Sequence, residues 1–118
     1  MNIVSELIEI PGVISAGEYS YRGDRFSFKG HMEEEQARKA SIMCRATTMS
    51  VRMQTDILSS FCKECGFSPS KGWVVKGPQF TVCVVANVFC FLDESRASLN
   101  EVIGLMRERL KDAPDDLV

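Results

Sequence analysis

A chain of 118 residues with 45% apolar and 25% charged side chains has the size and balance of one folded domain with its own core. Its 14 basic and 16 acidic side chains leave a net charge of −2. This argues against nucleic-acid binding, which normally draws on a clustered positive surface. No apolar run reaches the roughly 18 residues of a membrane span. The opening MNIVSELIEIPG has no basic segment, and Glu6 and Glu9 interrupt its apolar positions, so no signal peptide is expected.

In chain order, Asn2 caps a short helix whose Ile3, Leu7 and Ile10 share one face, and Pro11-Gly12 ends it. Two strands, Val13 to Ser20 and Arg25 to Gly30, flank a turn at Tyr21-Arg22-Gly23-Asp24. Phe26 and Phe28 share a strand face. The Arg-Gly-Asp tripeptide matches an adhesion motif but reads as a hairpin turn.

A long helix follows. Glu33, Glu34 and Glu35 stand where the positive end of its dipole falls, and no glycine or proline intervenes before Gly66, so about thirty residues can be helical. One apolar row holds Ala37, Ala40, Cys44, Val51, Leu58, Phe61 and Cys65, interrupted by Thr47 and Gln54. A second holds Ile42, Ala46, Met49, Met53 and Ile57. At 100° per residue, Ala37 and Ile42 lie about 140° apart. One sheet contact does not cover both rows, so the second is expected to meet another chain. Methionines 43, 49 and 53 on this helix suit an adaptable surface.

Gly66 to Gly72 reads as a loop. Three strands are then expected, at Trp73 to Lys76, Gln79 to Val85 and Val88 to Leu92. Ala86-Asn87 makes a tight turn with Asn in the left-handed conformation, or else one long strand runs through it. Ser95 caps a last helix with the stripe Leu99, Val102, Ile103, Met106 and Leu110, although Ser98 and Glu101 also have capping-box spacing. Asp112 to Val118 reads as a loose acidic tail. The fold class is therefore α+β, in the order α-β-β-α-β-β-β-α, with helices on both faces of a five-stranded antiparallel sheet.

Candidate chemistry is sparse. Five cysteines without a secretion signal read as reduced cytoplasmic thiols, with Cys83 and Cys90 inside apolar stretches. Cys62-Lys63-Glu64-Cys65 has the CxxC spacing of a redox pair or half a metal site. It falls at a helix C-terminus, where the dipole disfavours thiolate, so helix-end packing is the better reading. The one histidine, His31, has no evident nucleophile or carboxylate partner, and no phosphate-binding glycine loop is present. No enzyme activity and no cofactor are expected.

Ile10-Pro-Gly-Val13 with Ala16-Gly17-Glu18, then Met43-Cys44, Lys71-Gly72-Trp73-Val74-Val75 and Val82 to Val88 carry a resemblance over nearly the whole chain. They resemble the Roadblock/dynein-light-chain superfamily, a profilin-like or longin-like fold, and within it a small prokaryotic branch known only as a domain of unknown function. The resemblance implies a single domain over 1–118 and a homodimer in which third strands pair across a twofold axis and long helices lie side by side. It places Trp73, Val74 and Val75 at the strand seam, with Met49 and Met53 near the helix seam and Ile42 and Ile57 on the same row. It also implies a non-catalytic scaffold or regulator of a small Ras-like GTPase or signalling complex.

Overall fold

The computed structural model describes residues 2–20, 25–62, 64 and 71–111. Its elements are α1 (Ile3–Ile8), β1 (Val13–Tyr19), β2 (Phe26–Gly30), α2 (Glu34–Leu58), β3 (Gly72–Lys76), β4 (Thr81–Val85), β5 (Val88–Leu92) and α3 (Leu99–Arg109). The sheet order is β2-β1-β5-β4-β3, and every neighbouring pair is antiparallel. The expected order of elements and the sheet class hold. Residues 21–24, 66–70 and 112–118, read as turn, loop and tail, lie outside the described residues.

Local chemistry sets the helix ends. The Asn2 side chain accepts from the Ser5 amide at 2.9 Å. Glu33 and Gln36 form a capping box at the start of α2, each side chain serving the other's end of the first turn. Ser98, not Ser95, caps α3, accepting from the Glu101 amide. Ser95 is instead tied to Asp93, whose carboxylate accepts from its amide and its hydroxyl. That Asx turn aims the Ser95 hydroxyl at Asp93 rather than at the first amides of α3. Gly77 to Phe80 closes a turn through the Gly77 amide, so β4 begins at Thr81, two residues later than the sequence suggests.

The tight turn at Ala86-Asn87 exists, but Ala86 is the residue at positive φ (+55°). Asn87 is committed elsewhere: its side-chain amide donates to the Tyr19 carbonyl at 3.0 Å and so fastens the hairpin to β1. Gly17 meets a stricter demand, because the Phe89 ring lies where its Cβ would stand.

Alternation along the strands feeds two cores, one on each face. Against α1 and α3 lie Val4, Leu7, Ala16, Cys83, Cys90, Leu92, Val102 and Met106. Against α2 lie Tyr19, Ala40, Cys44, Val82, Val84 and Phe89.

The sheet-facing line of α2 departs from the expected row. Its buried residues are Ala37, Ala40, Ser41, Cys44 and Thr48. Leu58 and Phe61 are exposed, Phe61 by 78%. A heptad-spaced row drifts about 20° per seven residues on a straight α-helix, so by Leu58 it has rotated off the sheet. The helix also ends at Leu58 after 25 residues, short of the thirty that the absence of breakers allows.

Candidate interaction face

Three features converge on the side of the sheet that carries α2. The first is the helix itself. Ile42, Met49, Met53 and Ile57 are exposed by 44%, 60%, 59% and 57%. With Met43, also exposed, they span about 120° of helix circumference at 100° per residue. The same geometry puts Arg38, Arg45, Arg52 and Asp56 on the neighbouring flank. The apolar face therefore lies beside the charged flank and, about 180° around the helix from the buried Ala37–Thr48 line, points away from the sheet.

The second is the free edge of the sheet. Among the described residues β3 pairs only with β4; its exposed Val75, opposite Val82, is on the α2 side, and its exposed Val74, opposite Cys83, is on the other face of the same edge. An edge strand with unpaired backbone groups and apolar side chains is a template for further strand pairing. β2, at the other edge, offers exposed Ser27 and Lys29 instead. Trp73, expected at the seam, is half-buried, and its indole N–H donates to Thr48 Oγ1 at 2.8 Å. Tyr19 OH lies 3.2 Å from the same oxygen. Thr48 thus ties α2 to β1 and β3 together. Sequence reasoning passed over it, although its spacing from Ala37, Ser41 and Cys44 follows the i, i+3, i+4 rule.

The third is a trough. A cavity of about 560 Å³ lies between the N-terminal half of α2 and the sheet, with Ala40, Met43, Trp73, Phe80, Val82 and Phe91 supplying most of its apolar wall. The Phe80 and Phe91 rings stack at 5.6 Å between centroids, and Phe91 meets Phe89 edge-on. The exposed Phe80 was not singled out in the sequence.

The thiols divide. Cys44, Cys83 and Cys90 are free and buried. Burial, with a smaller contribution from nearby Cys83, pushes the Cys44 thiol up to about 12. Hydrogen bonding to Cys83, then burial, holds Cys90 protonated well above the ordinary thiol range. These three behave as core residues. Cys62 does not follow the expectation of reduced thiols, because it is disulfide-bonded. In that state its sulfur is neither a nucleophile nor a metal ligand. Cys65 lies outside the described residues. Among the described residues no three His, Cys, Asp or Glu side chains gather to hold a metal ion. His31 is exposed, and its backbone amide donates to the Ile14 carbonyl at 2.9 Å.

The comparisons agree with this architecture. A conserved family described as "Uncharacterized conserved protein (DUF2173)" matches residues 3–108. The chain belongs to the DUF2173 family. Among solved structures, the Roadblock/LC7 domain from Streptomyces avermitilis superposes with a TM-score of 0.65 at 14% identity, covering 93% of this chain and 90% of that one. The identity is low, so the likeness is one of fold. This DUF2173 chain therefore has a Roadblock/LC7-like α+β fold. No curated protein matches it significantly. No helix among the described residues is long and apolar enough to cross a membrane.

Proposed function

We propose that the chain is one Roadblock-like domain over residues 1–118 acting in the cytoplasm as a non-catalytic, homodimeric interaction module. The observation that carries this reading is that the chain leaves two apolar features uncovered, the row Ile42, Met49, Met53 and Ile57 on α2 and the β3 edge with half-buried Trp73 and exposed Val74 and Val75. An apolar surface of this kind, on a chain with a charged flank available, is characteristic of an interface. A twofold axis beside β3 lets one edge satisfy its copy and sets two α2 helices side by side. The sheet becomes continuous across two chains, and the outer surface is left for a partner. The resemblance suggests a small Ras-like GTPase or signalling protein for that role.

Light scattering at micromolar concentration is expected to give twice 13.2 kDa. Met53→Glu places a carboxylate in the desolvated seam and is expected to weaken association about a hundredfold, an effect of roughly 2.7 kcal/mol. A wild-type monomer overturns the reading. Capture experiments with GDP and GTP analogues then test the partner class.

A second reading has one observation in its favour, the disulfide at Cys62. A thiol protein that uses Cys62 and Cys65 for redox exchange, or reduced, for a metal bridged between subunits, predicts reversible thiol counts or bound metal in purified protein. The interaction module predicts neither.

A further inference from the structure

The trough beside α2 has a polarity that dimerisation does not require. Strand register lines up a single row across its floor: Ser15 on β1 opposite Phe91 on β5, Phe91 opposite Val82 on β4, and Val82 opposite Val75 on β3. All four residues line the cavity. Three strand spacings of roughly 4.8 Å give this row a length of about 14 Å. It is polar at one end and apolar along the rest.

The polar end is unusual. Ser15 is fully buried, yet among the described residues its hydroxyl donates only to the sulfur of Met32, at 4.0 Å. A thioether is a weak acceptor, and buried hydroxyls ordinarily find better. Above that end stand His31, Gln36 and Lys39, all on the cavity wall and all exposed. Lys39 is the charged residue of the lining, which holds no carboxylate. It makes no ion pair within 4 Å among the described residues, while its neighbour Glu35 is engaged by Arg38. The cavity therefore offers one cation, which also feels the Glu35 carboxylate without a close ion pair, and one underused hydroxyl at the head of an apolar slot. Glu33, Glu34 and Glu35 stand at the same end of α2, which disfavours a multiply charged anion.

We propose that this trough is a binding site for an amphipathic monocarboxylate, such as a medium-chain fatty acid or a similar acyl or aryl carboxylate. Its carboxylate meets Lys39 and the Ser15 hydroxyl, and its tail lies along Phe91, Val82 and Val75. The volume, about 560 Å³, falls within the range of small-molecule sites. A single charge rather than a phosphate suits one lysine without an arginine fork.

Trp73 is the chain's one tryptophan and lies on the cavity wall, so its fluorescence reports occupancy directly. Titration with sodium decanoate is expected to change Trp73 emission saturably, with one decanoate per chain by calorimetry. Decanol, with the same tail and no charge, is expected to bind about fivefold more weakly, the scale of one partly exposed ion pair. Lys39→Gln, an exposed change, is expected to erase that difference, and Ser15→Ala to weaken decanoate further. The proposal is overturned if neither emission nor heat shows saturable binding. Equal affinity for decanol and decanoate in the wild type overturns it as well, as does a preference that survives Lys39→Gln. Light scattering on the same samples separates this from the dimer: a monomer that binds decanoate keeps the pocket and removes the homodimer.

Discussion

On the face covered by α1 and α3, Leu7, Leu92, Val102 and Met106 have no solvent contact at all. On the face covered by α2, Phe89 and Cys44 are equally dry, but Phe91 is half-buried and Val75, Phe80, Met49 and Met53 stand in solvent. Both faces belong to the same five strands and draw on the same residue types. The difference lies in coverage. Two helices close one face, whereas the other has one helix whose sheet-facing line runs only from Ala37 to Thr48. A sheet face left half-covered by its own chain is where this molecule has surface to offer, and that is why the candidate interface and the trough both lie there.

The largest expected effect tests whether the closed face is a finished core. Leu92→Ala removes a fully enclosed side chain and is expected to cost about 2–5 kcal/mol, as other buried leucine truncations do. Met49→Ala on the open face is expected to change the stability of the isolated subunit by no more than about 0.5 kcal/mol. Urea denaturation of both variants, at concentrations low enough to dissociate any dimer, measures the contrast. A Met49→Ala cost comparable to that of Leu92→Ala would mean that the open face is packed within one chain.

Thr48 marks where coverage stops. Its hydroxyl serves the Trp73 indole and the Tyr19 phenol, so Thr48→Val keeps the shape and removes a shared partner. Leaving those groups without it is expected to cost about 1–3 kcal/mol in urea midpoint analysis. The Trp73 emission should shift as the indole loses its acceptor. No shift and no loss would show that α2 is held on the sheet by apolar contact alone.

The two faces were not equally legible in the sequence. Strand alternation and the stripe Leu99, Val102, Ile103 and Met106 pointed to the α3 side directly, because a helix fully seated on a sheet shows its period. The exposure of Ile42, Met49, Met53 and Ile57 followed from their angular distance from Ala37. The inner row of α2 was harder. Leu58 and Phe61 fit a heptad, yet helix drift turns them outward, and the actual contact runs through polar Ser41 and Thr48. The trough was not legible, since it depends on strand register setting Ser15 beside Phe91, which lie far apart in the chain. Nor was the conformation of Ala86, where the tertiary use of the Asn87 amide outweighed residue preference.

The smallest expected effect concerns how dry the seal beneath α2 is. Cys44 sits on the half-covered face, yet it is fully enclosed and burial pushes its thiol up to about 12. In the unfolded chain a cysteine titrates near 8.5. Below that pH both states keep the proton, and the thiol favours neither. Between the two values the unfolded chain releases a proton that the folded chain retains, so folding must take one up. Stability then falls as pH rises, by at most about 1.4 kcal/mol per pH unit from this one group. Comparing urea midpoints at pH 8.5 and pH 10 in wild type and Cys44→Ala isolates the contribution of the α2 side. The variant is expected to be less stable at both values, through lost packing, but to decline less between them. An unchanged decline would place water beside Cys44 and move the boundary of the open face beneath the helix, leaving α2 a lid over a wet floor.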